Sequence, residues 1–425
     1  MQVRLNPIWL IMILLVGIFS ILYIWFALHP GRVNPAVLQY FSFEEVERGR
    51  EYGQLPRLLF ITGFLLQLFF LLWLVFSGWG GTMSRWAQQL TGSYWGGVLV
   101  FFLVLWLAMR LIRLPFNFIN GYYWQHKWGF STQTMSSWWL DYFKGAGLEL
   151  ALSAIGVLLL FWVLGRFPKT WWLVGAAFIS VWVIIQSYLW PVLVSPLFNR
   201  FEVAKDPAVV SMVQELSEKA DIPVDQVLVM DASQRTTRAN AYFAGLGQTK
   251  RIVLYDTLLE NYPPEQVKAV VAHEMAHWGQ GHITRGIALG IAGNFIVWGL
   301  LFIVLRGAVI SYMRYPPYTW AVIMLFFVMI SFISSPIESS ISRSMEREAD
   351  QVSVELTQDA QAAIDLQVAL ASKNLSDLSP PAFITWFSYS HPPALERIKL
   401  IEQMEKVDNY IKPGVFIFKL NVTLK

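Results

Sequence analysis

The sequence predicts a mainly α, polytopic membrane protein with a smaller soluble part that carries a short β-sheet. Three observations carry that prediction. Of 425 residues, 55% are hydrophobic and only 14% are charged, against about 25% charged in soluble chains. Long apolar runs recur, each near the roughly 20 residues that a helix needs to cross a bilayer. Twenty tryptophans and sixteen tyrosines suit two aromatic belts at the membrane surfaces.

Seven segments qualify as transmembrane helices: Ile8–Leu28, Leu58–Ser77, Trp95–Pro115, Gly147–Gly165, Thr170–Pro196, Ile283–Ala308 and Tyr318–Pro336. The first is expected to be a retained span, since no small-residue cleavage site follows it. The sixth carries Arg285 and Asn294, so one side of it should face protein or water. Arg110 and Arg113 can snorkel from the end of the third.

Residues 1–198 thus hold spans one to five, and 283–336 hold spans six and seven. Between and after them, Asn199–His282 and Ile337–Lys425 are polar enough to be soluble. Both follow odd-numbered spans, which puts them on one side, as one domain split by a two-helix hairpin. That side carries eight lysines and arginines near the spans: Arg32, Arg48, Arg50, Arg57, Lys127, Lys144, Arg110 and Arg113. The other carries six: Arg4, Arg85, Arg166, Lys169, Arg306 and Arg314. The positive-inside rule therefore favours a cytoplasmic soluble part.

Within 199–282, Asp206–Ala220 reads as a helix, with Asp206 as N-cap and Pro207 at the first helical position. Val227–Met230, Ala241–Ala244 and Arg251–Tyr255 read as short strands. Pro263-Pro264 opens the next helix. The net charge of +3 leaves no basic footprint for nucleic acid. The absence of cysteine excludes disulfides, thiolate ligands and cysteine nucleophiles.

The helix after Pro264 contains Val270–Trp278, VVAHEMAHW. His273 and His277 are four residues apart, which places both rings on one helix face, one turn apart. Two imidazoles so placed can share a zinc ion at about 2.0–2.1 Å each. Glu274 stands beside the first, where it can take the proton of an activated water, the base's task in a zinc peptidase. With six histidines and eighteen glutamates, such a pattern arises by chance about 0.004 times in a chain like this one. Coincidence is a poor account of it.

A catalytic zinc needs a third protein ligand and an open position. His282 is one option, although a third histidine at the extended-motif spacing would fall at Ile283, and His282 reads better as a polar residue at the helix end. The other option is a carboxylate in Ser342–Asp350, SRSMEREAD. Glu346 and Asp350 share a face there. The first can bind metal while the second orients a ligating histidine through its free nitrogen. Glu348 lies on another face. The same run also reads as an exposed charged helix with local Arg–Glu pairs. Spacing leaves these alternatives open.

HEMAHW, SRSMEREAD and FSYSHPP, in that order, together resemble the type I CAAX prenyl protease family of integral-membrane zinc metallopeptidases. VSPLFNRFE at Val194–Glu202 and RANAYFAGLGQTKRIVLYDTLL at Arg238–Leu259 extend the resemblance. It implies a gluzincin-type site with one Zn2+ per chain on His273, His277 and Glu346, with Glu274 as base and Asp350 behind a ligand. It implies that Asn240, in a strand with Ala241 and Tyr242, holds the substrate backbone by strand addition. It further implies that His391 stabilises the tetrahedral intermediate and that Arg397 lies near the substrate. The family fold implies seven helices around a water-filled chamber, for which Gln67, Glu149, Gln186 and Asn294 are compatible polar residues. The absence of cysteine and the ending NVTLK, which is not a dilysine signal, are expected of a bacterial member in the plasma membrane.

Two other readings compete. An HtpX-like quality-control peptidase shares the chemistry but has fewer spans. A seven-helix transporter or receptor with a structural metal would use the polar residues of spans six and seven as a path, but would have no use for a base beside the histidines.

Overall fold

Helix starts are written into the chain as side-chain caps. Asn6, Ser42, Ser93, Thr134, Asp206 and Asp359 each accept a hydrogen bond from a backbone N–H of the first turn they precede. Such a cap satisfies a donor the helix itself leaves free. The computed structural model describes residues 5–244, 251–308 and 315–410. Arg4 and Arg314 of the charge count, residues 245–250 of the family-like stretch and the NVTLK ending lie outside them.

The N-terminal half contains α1 (Pro7–Leu28), α2 (Phe43–Phe76), α3 (Trp79–Thr91), α4 (Tyr94–Phe118), α5 (Trp124–Lys127), α6 (Met135–Arg166) and α7 (Trp171–Leu189). Then come β1 (Phe201–Val203), α8 (Pro207–Ala220), β2 (Gln226–Met230), β3 (Ala241–Ala244), β4 (Arg251–Tyr255), α9 (Asp256–Asn261) and α10 (Pro264–Gly279). The chain continues through α11 (His282–Ala308), α12 (Thr319–Thr357), α13 (Ala360–Lys373), α14 (Ala382–Ser388) and α15 (Ala394–Tyr410).

Among the described residues, six helices are long and apolar enough to cross a bilayer: α1, α2, α4, α6, α11 and α12. The fifth expected span is bent. Trp171–Ser187 meets Trp190–Leu197 at 48°, at Pro191, which lacks the N–H that would continue the ladder. The apolar core between these helices gathers Trp9, Leu71, Phe101, Trp171, Leu305 and Phe326. Asn294 faces protein rather than water. Its amide donates to the Ala176 carbonyl (2.8 Å) and to Ser180 Oγ (3.0 Å), tying α11 to α7, as polar side chains between membrane helices do.

Three features, one helix end and two arginines, differ from the sequence expectation. The helix that carries span seven does not end at Pro336. The helix runs on through it to Thr357, 39 residues in all, or about 58 Å at 1.5 Å per residue. That is nearly twice the hydrocarbon thickness, so the polar half carrying Glu346 and Asp350 is a rigid continuation of a span. Arg57 is no loop charge. It lies within α2, buried, and donates to Asp377 Oδ2 (2.6 Å) and to the Tyr389 hydroxyl (2.8 Å). Arg113 does not snorkel. Its Nε donates to Gln67 Oε1 at 2.6 Å, while Arg110 pairs with Glu149.

The four strands lie in the order β1-β2-β4-β3. β1 and β2 are antiparallel, β2 and β4 parallel, β4 and β3 antiparallel. β3 is therefore an edge strand. Beneath the sheet, Val213, Leu216, Ile252, Leu254, Val271, Ala272, Met275 and Leu366 form one apolar cluster. It fixes α10 against the sheet, α8 and α13.

Candidate active site

Helix α10 starts at Pro264, whose fixed φ suits a first helical position. It ends before Gly281, whose φ of +66° is a left-handed turn that glycine adopts without a Cβ clash. One face of α10 buries Val267, Val271 and Met275. His273 and His277 project from another face, with ring centroids 4.8 Å apart.

Their Nε2 atoms face each other at 3.2 Å. From α12, Glu346 Oε2 comes within 3.3 Å of His273 Nε2, and Oε1 within 3.4 Å of His277 Nε2. One donor atom from each of the three lies within 4.8 Å of the others. Glu346 is only 6% exposed, and its Oε2 makes no hydrogen bond. A buried carboxylate oxygen without a donor is costly unless a cation shares it. A tetrahedron with bonds of about 2.0–2.1 Å has edges of about 3.3–3.4 Å. The donor set therefore fits a zinc-sized ion.

Each ring is braced from behind. His273 Nδ1 lies 3.1 Å from Asp350 Oδ1. Asp350 is buried and takes both ends of the Arg397 fork, with Nε donating to Oδ2 at 2.7 Å. His277 Nδ1 lies 2.9 Å from His282 Nδ1. His282 Nε2 lies 3.1 Å from Glu348 Oε2, which also accepts from Arg285 at 2.9 Å. A carboxylate at His282 Nε2 makes that nitrogen the donor. Its Nδ1 then accepts from His277 Nδ1–H, which leaves His277 Nε2 as a free lone pair facing Glu346.

Burial lowers the His273 pKa, but the carboxylates of Asp350 and Glu346 outweigh it and raise it to about 9. Burial raises the Glu274 carboxyl above the ordinary range, against the pull of His273 and His277. His391 Nε2 lies 3.4 Å from Glu346 Oε1, and its Nδ1 pairs with Ser390 Oγ at 2.9 Å.

These groups open onto a cavity of about 1050 Å³ whose wall includes Asn240, His273, Glu274, Asp350, His391 and Arg397. Asn240 precedes β3, and its carbonyl accepts from Tyr255 N. Ala241 and Tyr242 pair with Leu254 and Val253 of β4. The structure thus brings six of the sequence-derived residues to one cavity wall and joins His277 and Glu346 to them by contact with His273, whereas Ala241 and Tyr242 follow Asn240 without lining that cavity. It places His282 outside the donor set but against a member of it, and makes Glu348 its anchor, a contact invisible to helix-face reasoning. Arg57, Arg238 and Asp377 also line the cavity; Arg238 opens the family-like stretch and Arg57 entered only the charge count, so neither was singled out for a role, and Asp377 lay in no motif.

Known proteins show the same layout. Residues 28–200 match the model of the CAAX prenyl protease N-terminal region, five membrane helices. Residues 203–405 match that of peptidase family M48. The metalloprotease YhfN of Bacillus subtilis is 29% identical over 391 residues, covering 90% of this chain and 91% of its own. CAAX prenyl protease 1 of Saccharomyces cerevisiae is 27% identical, with 70% of each chain covered. In three dimensions, the crystal structure of S. mikatae Ste24p covers 94% of this chain and 100% of that one, with a TM-score of 0.81 at 24% identity. The last match shows the fold, and the sequence matches supply the chemistry, setting aside the transporter and receptor readings. The chain belongs to peptidase family M48, as an integral multi-pass membrane metallopeptidase of the CAAX prenyl protease type.

Proposed function

We propose that the protein is a zinc endopeptidase in which His273, His277 and Glu346 hold one Zn2+ per chain. The two Nε2 atoms 3.2 Å apart, with Oε2 and Oε1 of the buried Glu346 carboxylate 3.3 and 3.4 Å from one and the other, carry this reading. When bound, zinc would act as a Lewis acid that acidifies water and polarises a scissile carbonyl.

The chain's own residues supply the remaining work. Glu274, whose carboxyl burial makes more basic, takes a proton from the attacking water and passes it to the leaving amine. Asp350 and Arg397 hold His273 by its Nδ1. Because Asp350 occupies the Arg397 guanidinium, positioning suits Arg397 better than direct contact with substrate. His391 stands in the wall, where a donor can stabilise oxyanion charge. The peptide lies along the open edge of β3, held through Asn240, Ala241 and Tyr242.

We assign membrane-associated peptides as the substrate class. The names of the eukaryotic relatives extend it to prenylated CAAX ends, kinship with the Bacillus enzyme supports a bacterial plasma membrane, and the excess of basic residues near the spans on the soluble part's side favours the cytoplasmic side for the site. Metal analysis of detergent-purified protein tests the centre. About one zinc per chain is expected in wild type, and much less in Glu346→Ala. A wild type that takes up no zinc on reconstitution would overturn the proposal. Assaying a prenylated peptide beside an unfolded membrane protein then separates processing from quality control.

A further inference from the structure

Three arginines line the main cavity: Arg57, Arg238 and Arg397. Two are neutralised, Arg57 by Asp377 at 2.6 Å and Arg397 by Asp350 at 2.7 Å. Arg238 pairs with no carboxylate among the described residues. One of its terminal nitrogens donates to the Tyr52 hydroxyl. Its guanidinium carbon stacks 4.2 Å from the Phe130 ring centroid and 5.5 Å from that of Tyr52. Its Nε is buried and makes no hydrogen bond.

The backbone at Arg238 is pinned, with its N–H donating to Thr236 Oγ1 (3.1 Å) and its carbonyl accepting from Thr257 Oγ1 (2.8 Å). It stands two residues before Asn240, at the start of the edge strand. It also lines a second cavity of about 400 Å³, which shares Thr236, Arg238, Ala239 and Asn374 with the first. That smaller cavity adds Lys373, whose ammonium lies 4.1 Å from the Tyr262 ring centroid. Its one carboxylate, Glu260, is exposed.

We propose that Arg238 is a specificity residue that receives a carboxylate of the bound peptide where the two cavities meet. The proposal rests on the peptidase reading for what enters the cavity. A guanidinium fork held against two aromatic rings loses little freedom on pairing with a planar carboxylate. A neutral group in the same place would leave buried donors unpaired, which is how such sites discriminate. The carboxylate can be the peptide's C-terminus or an acidic side chain.

The test measures binding of labelled peptides to full-length Glu274→Gln protein in detergent, so that no turnover is needed. One pair of peptides differs only in a free or amidated C-terminus, another only in an internal Glu or Gln. In one of the pairs, the carboxylate form should bind roughly 10–100-fold more tightly than its neutral counterpart. Adding Arg238→Gln should collapse that ratio towards one, and Arg238→Lys, which keeps charge without the fork, should retain part of it. The responding pair identifies the source of the carboxylate. An unchanged ratio in Arg238→Gln, or no carboxylate preference in either pair with Arg238 present, would overturn the proposal. Zinc content equal to the parent's certifies a folded variant. Should Arg238→Gln not fold, a ratio undiminished in Arg238→Lys overturns it instead. Failure of wild type to cleave any peptide would count against the peptidase reading and leave these ratios readable.

Discussion

His277 Nδ1 lies 2.9 Å from His282 Nδ1, so one imidazole sets the tautomer of another. The chain His277–His282–Glu348–Arg285 crosses from the end of α10 to α11 and α12. His282→Ala should weaken zinc binding roughly 10–100-fold, read by competition with a chelator. An affinity within a factor of about two of wild type would show that the ring is a bystander.

Glu274→Gln should keep its zinc and lose cleavage. Loss of a general base costs about 10²–10⁴-fold in rate, and Glu274 is adjacent to a ligand without being one of the donor trio. Parallel metal analysis and peptide assays check both halves. Full activity in this variant would rule out the base.

The Arg397–Asp350 pair is buried, with Asp350 only 3% exposed. Arg397→Met would strand a carboxylate and should cost about 3–5 kcal/mol. Asp350→Asn combined with Arg397→Met removes both charges and should recover much of that loss, while His273 loses its brace. Thermal unfolding of the single and double variants gives the comparison. Additive losses would mean that the two charges do not depend on each other.

Metal uptake should release protons. In the metal-free protein the His273 pKa is raised to about 9, so near pH 7 the ring holds a proton on both nitrogens. Binding through Nε2 must expel one. Calorimetry in buffers of different ionisation enthalpy should find about one proton released from this ring per zinc. Zinc affinity should climb as pH rises towards 9 and level off above it. Uptake without proton release would mean that the ring is already neutral.

Local features of the site were legible in the chain. The spacing of His273 and His277 is a helical periodicity, and a helix is all it needs. The Asp206 cap and the strand Arg251–Tyr255 were legible for the same reason, since caps and short strand-favouring runs between turn residues act over a few residues. β1 was not, because three residues carry too little pattern to be heard above their neighbours. Pro336 misled, because one missing backbone bond did not stop a helix whose later residues favour helix and are packed on both sides. Glu348 was discounted because it faces away from Glu346 on its own helix. Its partner comes from α11, which periodicity cannot see.

By itself, then, the sequence determined the membrane character, the histidine pair with its adjacent base, and a short set of carboxylates able to complete a metal site. These follow from composition and from contacts within one helix turn. Only the tertiary structure decided which carboxylate meets the histidines, that His282 braces His277 instead of joining the donors, and that Arg238 meets no carboxylate among the described residues while Arg57 and Arg397 are paired. Those outcomes depend on how α10, α11 and α12 pack, and packing is set by the whole apolar core rather than by any one segment.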